Sequence, residues 1–397
     1  MTPVRAWMTL LLVSVLFFII TAATFTSLGL VLPAMVGEMG WSWSEAGAGF
    51  SLLGVFCGVT SYVPAAIIRR FGVRANFLIG VAVMACAFAC LAHTQGLMVY
   101  LAGTALAGFG FTLLATVPGT YLLTRLFARP NFAFGLYFTI GGLGGVAGPP
   151  LYFWLAGAQQ DWRHFWMGVG LLTILCGGAA ALFSDTTTDV SAGTEADPDI
   201  STESWVARAA MATPQFLFLA IAYSAFLIVG ITANATSVGH LTEARGVSAV
   251  TAGTMMSVEA LVNAAARFLG GVLGALVGAR LLLVASLLSL AIGMVALAFG
   301  SSLPVLLVYA VGVGLGYGLT FFASTILLLE YFGRKPNLEL FSIVNLISTV
   351  GAAAPWAAGL TRDQSGSFVP FYMLLAVLMA MIAAVALLLK APHARTP

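Results

Sequence analysis

The sequence predicts an all-α membrane protein whose twelve transmembrane helices form two pseudo-symmetric six-helix bundles. Three observations carry this. First, 60% of the 397 residues are hydrophobic and the mean hydropathy is +1.03, far more apolar material than a water-soluble core of this length needs. Second, the apolar residues come in long runs without period-two alternation, which suits helices of roughly 20 residues crossing a core about 30 Å thick and not strands. Third, the second half of the chain repeats the first at a constant offset.

Apolar runs bounded by Gly, Pro and charged breaks place the spans at 8–35, 44–68, 75–94, 98–126, 131–156, 163–183, 213–239, 248–277, 281–299, 303–332, 337–360 and 368–390. The first follows Arg5 and continues to Met35, too long for the apolar region of a cleaved leader, so it reads as a retained helix. Spans four and ten carry G-x-G runs from Gly108 and Gly312. These lie inside helices and lack the Lys-Ser/Thr of a phosphate loop, so they read as close helix contacts. Between spans six and seven runs S-D-T-T-T-D-V-S-A-G-T-E-A-D-P-D-I-S-T-E, too acidic and too poor in apolar residues to build a core. The chain therefore divides into an N-terminal bundle (1–183), a linker (184–212) and a C-terminal bundle (213–397). Within the linker, the stretch from Trp205 to Met211 suits a short interfacial helix.

Arg129-Pro130-Asn131 recurs as Lys335-Pro336-Asn337, and 336 minus 130 is 206. The same shift brings Ala46-Gly47 onto Ala252-Gly253, Gly72 and Arg74 onto Gly278 and Arg280, and Gly108 and Gly110 onto Gly314 and Gly316. It also brings Ser51 onto Ser257 and Pro149 onto Pro355. An offset that spans six helices gives two halves in the same orientation, related by an axis along the membrane normal, with a cavity between them at mid-membrane.

With the N-terminus inside, the loops on that face hold Arg5, Arg69, Arg70, Arg74, Arg125, Arg129, Arg208, Arg280, Arg334, Lys335, Lys390 and Arg395, against Arg163, Arg245 and Arg362 on the other. That bias puts both termini and the linker in the cytoplasm of a cell whose inner membrane the chain crosses. A net charge of +2 with no continuous basic patch argues against nucleic acid as a partner. Cys57, Cys86, Cys90 and Cys176 lie in apolar runs and read as packing residues, with no metal or cofactor implied. His93, His164, His240 and His393 fall near helix ends or loops and are assigned no chemistry. No set of nucleophile, base and orienting acid is visible, which argues against an intramembrane enzyme.

The loop A-A-I-I-R-R-F-G-V-R, Ala65 to Arg74, is similar to the G-x-x-x-D-R-x-G-R-R signature of the major facilitator superfamily. Arg70, Gly72 and Arg74 match, and Arg69 stands where the signature has Asp. The G-G-V-A-G-P-P stretch of span five, Gly144 to Pro150, resembles the Gly-Pro motif of that helix in the superfamily. Within it, N-A-A-A-R-F-L-G-G, Asn263 to Gly271, resembles the D-x-x-x-R-P-x-x-G of the proton-linked monocarboxylate transporters, with Asn263 in place of the acid and Phe268 in place of the proline. The first-helix acidic-Gly-Trp signature of that branch is absent. The resemblance implies the major facilitator fold, transport by alternating access and no cofactor.

Glu259, Asn263 and Arg267 fall at i, i+4 and i+8 and make one polar stripe along span eight. A charge at mid-bilayer costs about 2.5–3.5 kcal/mol on insertion scales, so the stripe needs a partner or a task. In a structural reading Glu259 and Arg267 neutralise each other, with water or Asn263 bridging about 12 Å of helix axis at ~1.5 Å per residue. In a functional reading Arg267, the only basic residue away from the interfaces, binds a carboxylate that has lost its hydration. Burial and a neighbouring cation act on the Glu259 carboxyl in opposite senses, which leaves its protonation adjustable. An anion added to a neutral Arg–Glu site leaves one excess negative charge, and protonating Glu259 removes it.

The sequence thus predicts proton-coupled symport of a small monocarboxylate, lactate- or pyruvate-like, by one chain acting alone in the bilayer. Arg267 holds the carboxylate, Asn263 and Tyr317 orient it, Tyr121 and Phe321 line the cavity, and Glu259 carries the proton. Asn234 reads as interhelical glue. Other readings are an oxalate/formate-type exchanger, a proton-driven drug exporter and a carboxylate sensor. A dianion would favour a second cation, which spans five and eleven do not offer, Asn345, Ser348 and Thr349 being the polar candidates in the latter. An embedded arginine repels cationic drugs, and a sensor would be expected to carry a signalling domain beyond these short termini.

Overall fold

The computed structural model describes residues 3–127, 131–157, 161–184, 205–333 and 336–392, and among these it is helical throughout, without strands. Among the described residues, ten helices are long and apolar enough to cross a membrane. They are α1 (Val4–Met39), α3 (Val63–Ala92), α4 (Leu97–Leu126), α5 (Phe132–Ala156), α6 (Trp162–Phe183), α7 (Pro214–Ala244), α9 (Ala279–Phe299), α10 (Leu303–Phe332), α11 (Glu339–Ser365) and α12 (Val369–Leu388). Two more, α2 (Trp43–Val59) and α8 (Ala249–Val277), pack among them. A short helix, Ala207–Met211, precedes α7 within the stretch expected to be interfacial. Residues 185–204 of the acidic linker, the repeat positions Arg129, Pro130 and Lys335, and Arg334, His393 and Arg395 lie outside the described residues.

Several helices are interrupted inside runs that read as unbroken, and each interruption has a local cause. The α2–α3 boundary falls at Thr60–Tyr62, not after residue 68, and α3 then runs from Val63 through the signature loop. Pro64 at its first turn favours a start there, since its missing N–H falls where no helical partner exists. Gly72, at φ 85° and ψ 168°, is the sharp bend within it. In α4 the helix breaks at Ala115, where Pro118 removes the donor that Leu114 would need and the Tyr137 hydroxyl donates to the Ala115 carbonyl at 2.9 Å. α11 passes through a 3₁₀ turn at Thr349–Ala353 just before Pro355 and continues to Ser365, beyond the expected 360. α1 carries a π-turn at Ala22–Thr26, with the Ser27 hydroxyl donating to the Ala22 carbonyl at 2.6 Å. Gly144 and Gly148 of α5 sit directly against that turn, where a Cβ would strike it.

The 206-residue offset reappears as geometry. Gly40 and Gly246 have φ of 68° and 66°, and Gly72 and Gly278 have 85° and 80°. Gly108 lies against the Leu53 carbonyl and Gly110 against Met84, and 206 residues on Gly314 lies against the Glu259 carbonyl and Gly316 against Leu290. The contacts between the first six helices and the last six obey it too. Gly47 of α2 meets Pro355 of α11, and Gly253 of α8 meets Pro149 of α5. Ser51 accepts from the Trp356 N–H at 3.1 Å, and Ser257 donates to the Val146 carbonyl at 2.7 Å. With no hydrophobic drive between helices in lipid, small residues at these crossings let the backbones approach.

Gly29 of α1 meets Asn234 of α7 in the same way, and the contact of α2 with α11 continues through Gly54 on Ala352 to Gly58 on Thr349. At the far end Trp43 joins the two sets. Its N–H and that of Ser44 donate to the two Asp363 carboxylate oxygens, each at 2.9 Å, and its indole N–H donates to Glu243 at 3.3 Å. Arg362 pairs with Glu243 at 3.6 Å. The two sets are therefore tied together at the Trp43 end, opposite Arg69, Arg70 and Arg74.

Candidate functional site

The stripe is held by α10. A Cβ on Gly314 would come within 2.6 Å of the Glu259 carbonyl oxygen, and one on Gly318 within 2.5 Å of the Asn263 carbonyl oxygen. The alternate glycines, Gly312 and Gly316, press in the same way on Gly293 and Leu290 of α9. The run G-V-G-L-G-Y-G thus spends its glycines on two neighbours and fixes α8 against the side chains that stand between them, Tyr317 and Phe321.

Along α8 burial falls in one direction. Glu259 is 6% exposed, Asn263 is half-buried and Arg267 is exposed. The Arg267 Nε donates to Asn263 Oδ1 at 3.0 Å. Its guanidinium carbon lies 4.7 Å from the centre of the Phe321 ring and 5.7 Å from that of Tyr317, within cation–π range. Among the described residues no carboxylate lies within ion-pairing distance of Arg267, and Glu259 accepts no hydrogen bond. Asn263 is committed to Arg267 and does not bridge to Glu259, so the internal salt-bridge arrangement is not formed.

The rings beneath the guanidinium lean inward, toward the other helices of the second set. Tyr317 contacts Phe226 of α7 edge-on with centroids 4.8 Å apart, and lies flat against Gly230. Phe321 faces Tyr223 of α7 at 6.2 Å, and the Tyr223 hydroxyl donates to Asn345 Oδ1 of α11 at 3.1 Å. The cation is therefore walled by α7, α8, α10 and α11. Among the glycine contacts between α8 and the first six helices, Ala260 lies 3.4 Å from the would-be Cβ of Gly145 of α5. Arg267 lies seven residues further, about 10 Å at ~1.5 Å per residue, where its side chain is exposed. Glu259 lies at the crossing with α5 itself, between Ser257 and Ala260.

Of the residues expected at the site, Glu259, Asn263, Arg267, Tyr317 and Phe321 come together. Tyr121 does not join them by any hydrogen bond or ring contact. It lies beyond the Ala115 break, with its ring centre 5.3 Å from the Arg125 guanidinium carbon. Asn234 is not interhelical glue through its side chain, which donates to Gly230 of its own helix at 2.9 Å. Tyr223 was not foreseen, since one tyrosine in an apolar helix carries no signal of its own. Two apolar grooves of about 480 and 520 Å³, formed by α9, α10 and α12 and by α9 and α10, include no residue of the stripe.

The sequence matches the family model described as Major Facilitator Superfamily over residues 12–238 and again over 225–397. The chain belongs to the major facilitator superfamily. No curated protein matches it. Among solved structures, a bacterial homologue of the human lysosomal transporter Spinster in an inward-facing, unoccupied conformation aligns with a TM-score of 0.76 at 14% identity, covering 97% of this chain and 96% of that one. The same homologue in an inward-facing, occupied conformation gives 0.74 at 16% identity over 97% and 96%. A mutant of the nucleoside transporter NupG gives 0.74 at 12% identity over 95% and 98%. At these identities the likeness is one of fold. This major facilitator protein is thus a multi-pass membrane protein of a transporter family, and its cargo has to be argued from its own cavity.

Proposed function

We propose that this transporter carries a small monocarboxylate, lactate- or pyruvate-like, together with a proton, by alternating access. The observation that carries the reading is the exposed Arg267 guanidinium, free of any acidic partner among the described residues and held by Asn263 over the Phe321 and Tyr317 rings. A guanidinium fixed this way presents its outer N–H groups as a fork that matches one carboxylate bidentately. The two rings below it take the short apolar tail. A single cation balances a single anion, which favours a monocarboxylate over a dianion.

Glu259 supplies the proton side. It lies two helical turns from Arg267 along the same stripe, at the level where the two sets of helices meet, so it can sense which side the cavity opens to. With Arg267 positive and Glu259 ionised, a bound carboxylate leaves one unbalanced charge in a low-dielectric interior, and protonating Glu259 removes it. Residues 1–183 and 213–397 rock as two bodies about this centre, with the arginine-rich face in the cytoplasm, so the present arrangement is the inward-open one.

Uptake of labelled lactate into proteoliposomes with an imposed pH gradient tests the reading. Accumulation driven by an acidic exterior supports symport. Uptake that ignores pH and requires internal oxalate or formate supports an exchanger, and binding without uptake supports a sensor; either result overturns symport.

A further inference from the structure

Six polar side chains fill the interior of the second set of helices and take no part in holding a carboxylate. They are Thr232, Thr236, Ser237 and His240 on α7, Tyr309 on α10 and Tyr372 on α12, none more than 2% exposed. Thr236 Oγ1 lies 2.8 Å from the Tyr372 hydroxyl. The Tyr372 ring meets the His240 imidazole edge-on, centroids 5.2 Å apart at 89°. Tyr309 lies beside Ser237 and, on α10, five residues before Gly314, which packs against the Glu259 carbonyl. At the sealed end, His240 Nε2 is 3.2 Å from the Ala298 carbonyl and 3.4 Å from Arg245 Nε. The track therefore runs from Glu259 to the face opposite the arginine-rich one.

Two of its atoms, Thr232 Oγ1 and His240 Nδ1, are buried without a hydrogen-bond partner among the described residues, and Ser237 Oγ has none besides the Tyr309 hydroxyl next to it. Each such orphan costs about 1–3 kcal/mol, and the usual remedy is a bound water. The fold itself does not require them. Shifted back by 206, His240, Thr236, Ser237, Glu259, Tyr309 and Tyr372 fall on Ala34, Leu30, Val31, Leu53, Gly103 and Trp166, where the first half packs the same helices without one hydroxyl or ionisable group. Only Thr232 keeps its counterpart, Thr26.

We propose that this track is a proton route from the outer face to Glu259, separate from the carboxylate chamber. A proton from outer water enters at His240, passes by hydroxyl relay through Tyr372 and Thr236 to Ser237 and Tyr309, with waters at the orphaned atoms, and ends on the Glu259 carboxylate. Each hydroxyl accepts one proton and gives up another, so only Glu259 changes state, and it discharges into the chamber on the Arg267 side. The groups facing His240 are Arg245, Arg362 of α11 and Tyr372 of α12, and those facing Glu259 are Arg267, Tyr309 and Tyr317. In this inward-open arrangement Glu259 is buried and the link at His240 Nδ1 is unmade, which insulates the carboxylate from outside.

The route rests on the symport reading, and one paired experiment separates the two. Wild type, His240→Phe and Tyr309→Phe are reconstituted and assayed for lactate uptake driven by an acidic exterior and for lactate counterflow at equal pH. The route predicts that both variants lose about tenfold or more of the driven uptake while counterflow stays within about twofold of wild type. Driven uptake at the wild-type level in both variants overturns the route and leaves symport standing. Equal loss in both assays assigns the residues a structural role and also overturns it. A wild type with no acid drive removes symport and the route together.

Discussion

Arg267 and Glu259 stand two turns apart on one helix, yet one faces the open side and the other lies within the seal. Their separation decides how they should respond to substitution. Lysine at 267 keeps the charge but loses the planar fork, so Arg267→Lys should weaken carboxylate binding about 10- to 100-fold, the worth of one charge-assisted hydrogen bond at ~1.5–3 kcal/mol. Titration of the purified protein with labelled lactate would check this, and an unchanged affinity would mean that charge alone is read. Glu259→Gln mimics the protonated acid. It should keep counterflow near the wild-type rate while uptake no longer follows external acidity, and intact pH drive in that variant would remove Glu259 from coupling. The stripe was legible because charge is rare here and an i, i+4, i+8 spacing is read directly as a helical face. Tyr223 and His240 were not, because their roles come from neighbours on α9, α11 and α12 that no one-dimensional pattern pairs with them. Tyr121 lies beyond a helix break that hydropathy does not register, and no hydrogen bond or ring contact ties it to the stripe.

The helices bear on function chiefly through their glycines. Gly314 and Gly318 leave no room for a side chain against the α8 backbone, whereas Gly142 of α5 has no atom within 4 Å of its would-be Cβ. Gly318→Leu should push α8 away from α10, destabilise the fold by about 1–3 kcal/mol as overpacking does, and displace Arg267 from its rings. Gly142→Ala should be nearly neutral. Thermal unfolding in detergent and lactate binding, measured on both variants, would check the pair. Equal unfolding temperatures would show that the close approach is not needed. Glycine-rich runs could be read from the sequence as helix contacts, but not which glycine served which neighbour. The interruptions at Thr60–Tyr62, Ala115 and Thr349–Ala353 escaped notice because an apolar run conceals a break whose freed carbonyls are satisfied within the bundle.

Across the whole molecule, the polar contacts at the Trp43 end tie the two sets of helices together. The repeat at 206 residues was visible from a few Gly, Pro and Arg positions, and it reappears in backbone angles and in the crossings of α2 with α11 and α5 with α8. Nothing in the sequence pointed to the state captured, since that depends on Asp363 meeting the start of α2 across 320 residues. Because Asp363 caps that helix from the opposite set, Asp363→Ala should remove about 0.5–2 kcal/mol from the sealed arrangement and raise the outward-open population roughly 2- to 30-fold. Spin labels on Glu45 and Ser365 would report it as a longer distance component. A single short distance in the variant would mean that other contacts hold the seal. The central claim, however, is that Arg267 receives a carboxylate in the open chamber. Equilibrium binding of labelled lactate and pyruvate to wild type and to Arg267→Ala, both in lipid nanodiscs, addresses it most directly. The account predicts saturable binding to the wild type and none to the variant, and comparable binding to both would contradict it.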